Sequence, residues 1–300
     1  MTDRTAVLFL GVAAGVAIGY AFVGSPPAPQ MAAVAPVAPQ APGHASPAAP
    51  PPAIECAMPF NQQLLDTVAQ NGKVRIGVFG DSFGDGVWSA LYRLLPRTRN
   101  YEVVKFSRQS TGFTRYASLN LEQHTADQLA AGPIDIAVIN YGANDTQGVM
   151  ADGHYAALLS PEWKRVVGGR IDGMINLLRS RGAMVYWVGL PRMRKPEFDA
   201  DIRGMDAFYQ QHMQALSVPF IEIAPLTVDQ TGAYNAYLDD GPEHKRTLIR
   251  ANDGVHMSMT GYIRVSRDLA ARIDRYVAAA RTRAGAPQQT VSASPARPSA

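Results

Sequence analysis

The sequence has little cysteine and little charge. Its 300 residues include one cysteine, Cys56, so the chain can form no internal disulfide and no zinc cage of several thiolates. Charged residues make up 18% of the chain, the formal net charge is +3, and the lysines and arginines are scattered. We therefore expect no nucleic-acid partner, because such binding needs a clustered basic surface.

The chain begins with a long apolar run, residues 6–24, which contains no charged side chain. As a helix, this run is long enough to span a hydrocarbon layer of about 30 Å. It exceeds the usual apolar core of a secretion signal, so residues 1–24 are interpreted as an uncleaved membrane anchor, with a cleaved signal as the alternative. Arg4 precedes the run and no charge follows until Glu55, which favours a cytoplasmic N-terminus at a bacterial-type inner membrane. The rest of the chain would then lie in the periplasm or outside the cell.

The composition divides the remaining chain into three parts. Residues 25–55 consist mostly of proline and alanine, which predicts a disordered linker with extended segments. Residues 284–300 have a similar composition and are predicted to form a disordered tail. Residues 56–283 are long enough for one compact domain, to which we assign the function.

Within this domain, short β-rich apolar runs alternate with amphipathic helical patterns. The predicted strands are Val74 to Phe79, Glu102 to Phe106, Ile134 to Asn140, Met184 to Gly189 and Phe220 to Ile223. The predicted helices lie near residues 85–95, 121–131, 161–181, 198–215 and 260–281. This alternation predicts an α/β fold in three α/β/α layers, with a central parallel sheet of about five strands. Functional residues are then expected at the carboxyl ends of the strands.

The first predicted strand leads into the loop Gly80 to Gly86, which contains Ser82. A serine at a sharp turn between strand and helix has an exposed hydroxyl near a helix N-terminus, which suits a nucleophile. The alternatives are a glycine-rich turn with a capping serine, or a phosphate-binding loop. Phosphate binding is disfavoured because no lysine follows the glycines and because Asp81 and Asp85 would repel an anion.

Three further positions have chemistry that fits a serine nucleophile. Asn144, after the third strand, can aim an amide N–H at a neighbouring site or cap a helix. Gly112, after the second strand, can offer a backbone N–H or simply turn the chain. Asp253 and His256 stand three residues apart before the last helix, so that one loop can supply both a general base and the carboxylate that orients it.

These segments together resemble the sequence blocks of the SGNH, or GDSL-type, hydrolases. The matching segments are Gly80-Asp81-Ser82, Gly112, Gly142-Ala143-Asn144-Asp145 and Asp253-Gly254-Val255-His256. The resemblance implies that Ser82, Asp253 and His256 are catalytic and that Ser82, Gly112 and Asn144 form an oxyanion hole. Phe83 stands where the motif has leucine, and the second block lacks a fuller signature.

The resemblance implies hydrolysis of an ester through an acyl-enzyme, with no metal and no organic cofactor. Asp85, Asp145 and Asp239 lack the spacing of a cation site. A domain tethered outside a membrane suggests that the substrate is an O-acetyl or other short-acyl ester on a cell-envelope or extracellular polysaccharide. The alternatives are a lysophospholipase or thioesterase, and a non-catalytic, membrane-tethered binding module.

Two other features have open interpretations. The basic run Pro191 to Lys195 follows the fourth strand and either forms a positive rim at the site or is a solvated loop. Trp163, Tyr234 and Tyr237 either stack on sugar rings or belong to the core.

Overall fold

The structure, a computed structural model, describes residues 59–241 and 243–285. The predicted anchor, the linker and nearly all of the predicted tail therefore lie outside the described residues. Within the described ranges, no helix combines the length and the apolar character that crossing a membrane requires.

Helices and strands alternate along most of the domain. In chain order they are α1 (Gln62–Ala69), β1 (Val74–Gly80), α2 (Ser82–Leu94), β2 (Tyr101–Lys105), α3 (Leu121–Leu129), β3 (Ile136–Asn140), β4 (Val149–Ala151), β5 (His154–Ala156), α4 (Pro161–Ser180), β6 (Met184–Val188), α5 (Pro196–Ala215), β7 (Phe220–Ile221), β8 (Tyr237–Asp240), β9 (Lys245–Leu248) and α6 (Met259–Arg283).

The predicted central sheet is confirmed. Five strands are hydrogen-bonded in the order β2-β1-β3-β6-β7, and every neighbouring pair is parallel. Strands β3 and β6 are buried along their whole length, as expected for a sheet covered by helices on both faces. Helix α6 packs against both α1 and α2, and α3 packs against α4, which gives the three-layer α/β/α architecture.

Helix α2 begins at Ser82, three residues before the predicted start. The glycines at positions 84 and 86 favour a loop, because glycine has a low helix propensity. In the structure they allow close packing: a Cβ at Gly80 would lie 2.7 Å from the Cα of Gly84, and a Cβ at Gly86 would lie 2.1 Å from the ring of Tyr262. Tertiary contacts therefore outweigh the low helix propensity of glycine here.

Candidate active site

Ser82 lies at the junction of β1 and α2. It is the first residue of the helix, and Asp81 caps the helix by accepting the backbone N–H of Phe83 at 2.9 Å. The backbone N–H at such a position has no partner within the helix. It lies at the positive end of the helix dipole. Ser82 therefore combines a hydroxyl at the carboxyl end of β1 with an environment that favours negative charge.

His256 and Asp253 reach Ser82 from the loop before α6. Nε2 of His256 lies 2.7 Å from Oγ of Ser82, and Nδ1 lies 2.6 Å from Oδ2 of Asp253. The fold thus brings together three side chains that are separated by up to 174 residues in the chain. Hydroxyl, imidazole and carboxylate follow one another in the order that a Ser-His-Asp triad requires.

The carboxylate of Asp253 is held in its ionised form. Partial burial is the largest influence and opposes ionisation, but the His256 side chain and the backbone N–H groups of Val255 and His256 together lower the pKa of Asp253 to about 2. The two N–H groups reach Oδ1 at 2.8 and 2.9 Å, so that Oδ2 is left for the imidazole. An ionised Asp253 favours a proton on Nδ1, which leaves Nε2 able to accept the proton of Ser82.

Phe83, the departure from the leucine of the motif, supports the imidazole. Its side chain is fully buried, and its ring centroid lies 5.4 Å from that of His256. The larger side chain therefore packs beneath the histidine and restricts its orientation.

Two arginines hold the backbone of the loop that contains Asp253. Arg194 donates from Nη1 to the carbonyl of Asn252 at 2.9 Å and from Nη2 to the carbonyl of Asp253 at 3.1 Å. Arg250, which is completely buried, donates from Nη2 to the carbonyl of Val255 at 2.8 Å. Sequence reasoning missed both roles, because nothing local marks an arginine as the partner of a distant carbonyl.

Two arginines of the basic run at residues 191–195, Arg192 and Arg194, are bonded within the protein, so the run is more than a solvated loop. Arg192 forms a two-point ion pair with the buried carboxylate of Asp199. The side chain of Arg194 lies so close to Gly254 that a Cβ there would come within 2.6 Å of it. Gly254 also has φ of +74°, a conformation that favours glycine.

The three candidate oxyanion donors have different surroundings. Within the described residues, the backbone N–H groups of Ser82 and Gly112 donate to no protein acceptor. The side-chain amide of Asn144 donates to Oδ2 of Asp81 at 3.2 Å and to the carbonyl of Thr111 at 3.0 Å. Asn144 therefore links the segment that contains Asp81 and Ser82 to the loop that contains Gly112.

Asp145 organises the loop that contains Gly112. This buried carboxylate accepts the backbone N–H groups of Phe113 at 3.0 Å and Thr114 at 2.8 Å, and also the Thr114 hydroxyl. Burial raises the pKa of Asp145, against the opposing hydrogen bonds from Thr114. A Cβ at Gly112 would lie 2.4 Å from Oδ1 of Asp145, so this position requires glycine for a close approach.

The remaining motif residues act on the backbone. A Cβ at Gly80 would lie 2.4 Å from the carbonyl oxygen of Asn140 in the neighbouring strand. Gly142 has φ of +153°, and a Cβ there would meet the side chain of Leu190 at 2.5 Å. The motif glycines thus allow the two strand ends and the following loops to approach each other.

The three aspartates considered as cation ligands, Asp85, Asp145 and Asp239, do not form a cluster, and Asp85 and Asp145 already accept hydrogen bonds. Asp85 accepts the Ser107 hydroxyl, the Gln109 amide at 3.0 Å and the Lys105 ammonium at 3.0 Å. Across the part of the chain that the structure describes, no group of three or more His, Cys, Asp or Glu side chains could hold a metal ion.

Ser82 opens into a shallow cleft of about 380 Å³. Asp85 and Gln109 contribute polar side chains to its lining, and Met257, Met259 and Tyr262 contribute larger, mainly apolar ones. Tyr262 is largely buried, and Met259 is partly exposed. The Ser82 hydroxyl is therefore reached through a small, open cleft.

The three singled-out aromatic residues lie in different environments. Trp163 is fully buried in the core and donates to the carbonyl of Gln147 at 2.8 Å. Tyr234 is half-buried, with the guanidinium of Arg250 5.0 Å from its ring centroid. Tyr237 is 46% exposed. Only Tyr237 is thus well placed to contact an external ligand.

Comparison with solved structures shows that the domain has the fold of the SGNH hydrolases. The periplasmic domain of a lipopolysaccharide acetyltransferase from Salmonella ser. Paratyphi A matches 70% of this chain and 87% of its own, with 10% identity and a TM-score of 0.50. A GDSL-like lipase from Bacteroides thetaiotaomicron matches 74% of this chain and 93% of its own, with 17% identity and a TM-score of 0.45. An acetyl xylan esterase matches 67% of this chain and 98% of its own, with 15% identity and a TM-score of 0.46. At these identities the likeness concerns the fold alone.

The chain belongs to the family described as "Protein of unknown function (DUF459)", which matches residues 75–272. No curated protein matches the chain. The matched residues include all of the site residues described above.

Proposed function

We propose that the protein is a serine esterase that removes O-acetyl or other short-acyl groups from a cell-envelope or extracellular polysaccharide. The observation that carries the proposal is the 2.7 Å separation between Oγ of Ser82 and Nε2 of His256, whose other nitrogen is bonded to Asp253. A hydroxyl in this arrangement can lose its proton to the imidazole as it attacks a carbonyl.

The reaction proceeds in two half-reactions. Oγ of Ser82 bonds to the acyl carbon while His256 accepts the serine proton; the bond to the leaving oxygen then breaks, and His256 protonates that oxygen. Water next attacks the acyl-enzyme with His256 again as the base, which releases the carboxylic acid and restores Ser82. Asp253 holds the imidazole and stabilises its positive charge in both stages.

The negative charge on the tetrahedral intermediate needs hydrogen-bond donors. The free N–H groups of Ser82 and Gly112 are the proposed backbone donors, and Asn144 is the proposed side-chain donor. For Asn144 to contribute, the oxyanion must share or replace one of its bonds to Asp81 and Thr111. The longer bond, 3.2 Å to Asp81, is the one we expect to yield.

The shape of the cleft supports a short acyl group. The cleft is small and open, so it fits an acetyl group better than the long chain of a lysophospholipid or an acyl thioester, which would need an extended apolar channel. The openness also leaves room for the remainder of a polymer.

The experiment compares full-length wild-type protein with Ser82→Ala, using p-nitrophenyl acetate, p-nitrophenyl octanoate and acetylated polysaccharides. Ser89→Ala is a matched control, because Ser89 lies on the same helix and lines the same cleft. We expect turnover of acetyl substrates by the wild type and by Ser89→Ala, and none by Ser82→Ala. Equal turnover by wild type and Ser82→Ala excludes the proposal; inactivity of all three proteins favours the binding module, and a preference for octanoate favours the lipid or thioester alternative.

We also propose that residues 1–24 anchor the protein in the inner membrane and that residues 25–55 tether the domain on the periplasmic side. The support is the charge-free run of residues 6–24 with Arg4 before it. An alkaline phosphatase fusion after residue 53 should be active. An inactive fusion, together with an active cytoplasmic reporter at the same position, would reverse the orientation.

A further inference from the structure

The hairpin of β8 and β9 is attached to the segment that contains the candidate triad. Strand β9 ends at Leu248, five residues before Asp253. Ser258, two residues after His256, donates from its backbone N–H to the carbonyl of Ile249 and from its hydroxyl to the carbonyl of Leu248. The hairpin and the catalytic loop are therefore parts of one hydrogen-bonded structure.

A groove of about 510 Å³ lies between this hairpin and the preceding segment, residues 228–235. One wall is fixed by Arg264, which donates from Nε to the carbonyl of Leu226 at 2.9 Å and from Nη1 to the carbonyl of Asp239 at 2.6 Å. Tyr237 lines the groove and is 46% exposed. The groove is thus built on a hydrogen-bonded frame and presents an aromatic ring.

Four polar side chains in the groove have unused hydrogen-bonding capacity. Within residues 59–241 and 243–285, they make no hydrogen bond or ion pair with another side chain or with the backbone: Gln230, Asp239, His244 and Arg246. Arg246 lies across from Asp239 in the hairpin, and its guanidinium is 5.8 Å from the ring centroid of Tyr237. An amide, a carboxylate, an imidazole and a guanidinium therefore line the same groove as one exposed aromatic ring.

This combination fits a sugar residue. A pyranose ring presents C–H groups on its faces and hydroxyl groups at its edge, which complement an aromatic ring and surrounding donors and acceptors. The groove contains side chains of both charge signs, Asp239 and Arg246, so it has no strong preference for an anionic ligand. Its polar lining is also unsuited to a lipid chain.

We propose that the groove beside Tyr237 is a glycan subsite that binds a sugar residue of the substrate polymer. The inference rests on the proposed function, because it assigns the polymer side of the same substrate. The Tyr237 ring contacts the face of the sugar, and the polar side chains bind its hydroxyl groups. The subsite raises affinity for a polymer and takes no part in the chemistry at Ser82.

The test uses Tyr237→Ala in the full-length protein, with Tyr92→Ala as the matched control. Tyr92 is 47% exposed but lies on α2, outside the groove. The substrates are p-nitrophenyl acetate and a panel of acetylated oligosaccharides derived from xylan, glucomannan and peptidoglycan. Loss of one aromatic contact should raise KM for the best oligosaccharide about three- to tenfold. KM and kcat for p-nitrophenyl acetate should not change, and Tyr237→Phe should restore most of the affinity.

A direct measurement separates binding from catalysis. Calorimetric titration of Ser82→Ala with the deacetylated oligosaccharides should show binding that is weakened by the additional change Tyr237→Ala and unaffected by Tyr92→Ala. If no oligosaccharide binds, or if Tyr237→Ala binds as Ser82→Ala alone does, the groove is a solvated surface and the inference is wrong. If the wild type hydrolyses no ester but binds an oligosaccharide through Tyr237, the subsite stands and the esterase proposal fails.

Discussion

The side-chain amide of Asn144 donates to Oδ2 of Asp81 at 3.2 Å, directly beside the proposed nucleophile. Asp81 is completely buried, and its other oxygen caps the helix that begins at Ser82. Asp81, which precedes the proposed nucleophile, therefore accepts a hydrogen bond from Asn144, which is proposed to stabilise the oxyanion. This contact joins two motifs that are about sixty residues apart in the chain.

The first prediction concerns Asp81 and pH. Burial raises the pKa of Asp81 from 3.8 to about 7, against the hydrogen bond from Phe83 and with a further rise from Asp145. Between pH 3.8 and about 7, the folded state therefore holds a proton on Asp81 that the unfolded state releases. The contribution of this proton to stability is fully present below pH 3.8 and is lost as the pH rises through about 7. In Asp81→Asn, the free energy of unfolding should fall less steeply between these pH values than in the wild type.

Urea unfolding at several pH values measures this effect. Asp201→Asn is the control, because Asp201 lies exposed on α5. The control should follow the wild-type pH dependence. An Asp81→Asn curve parallel to that of the wild type would show that Asp81 is not protonated on folding.

The second prediction concerns Asp253. In Asp253→Asn, the side-chain oxygen can still accept the N–H groups of Val255 and His256, but its amide would face Nδ1 of His256. That nitrogen would then have to act as an acceptor, so Nε2 would hold the proton and could not act as the base for Ser82. We expect kcat for p-nitrophenyl acetate to fall by roughly 10³- to 10⁴-fold with little change in the melting temperature. A fall of less than tenfold would contradict this role.

The third prediction concerns Gly112. In Gly112→Ala, the new methyl group would collide with the carboxylate of Asp145, which holds the same loop in place. We expect a loss of roughly 1–3 kcal/mol in the free energy of unfolding, together with a reduced kcat. Gly169→Ala on α4 is the control, since a Cβ there meets nothing within 4 Å. The control should be slightly more stable than the wild type, because alanine favours helices.

The fourth prediction concerns Arg194, which we regard as a positioning residue. Arg194→Met removes two hydrogen bonds to the loop of Asp253 without disturbing the core. We expect kcat to fall about 10- to 100-fold, with KM and the melting temperature nearly unchanged, because small displacements of catalytic groups are costly. Arg194→Lys should recover part of the activity. Arg165→Met, which alters an exposed ion pair elsewhere, should leave kcat unchanged.

The central sheet could be predicted because its strands are short apolar runs separated by amphipathic helices. The sequence pattern does not predict helix α1 or the two hairpins. Strands β8 and β9, Tyr237–Asp240 and Lys245–Leu248, are short and largely polar, so no alternating apolar pattern reveals them. Strand β9 is held by a hydrogen bond from the Ser258 hydroxyl to the carbonyl of Leu248, a contact that the local sequence does not show.

The sequence by itself determined the chemistry that is available: the hydroxyl of Ser82, the imidazole of His256 and the carboxylate of Asp253, each at a predictable strand or helix end. It could do so because the periodicity of apolar residues and the turn-forming glycines are local properties. The tertiary structure alone decided the separations among these groups, the hydrogen bond between Asn144 and Asp81, and the contacts of the two arginines that hold the loop of Asp253. These contacts join residues that are far apart in the chain, and their geometry depends on how the whole sheet and its helices pack.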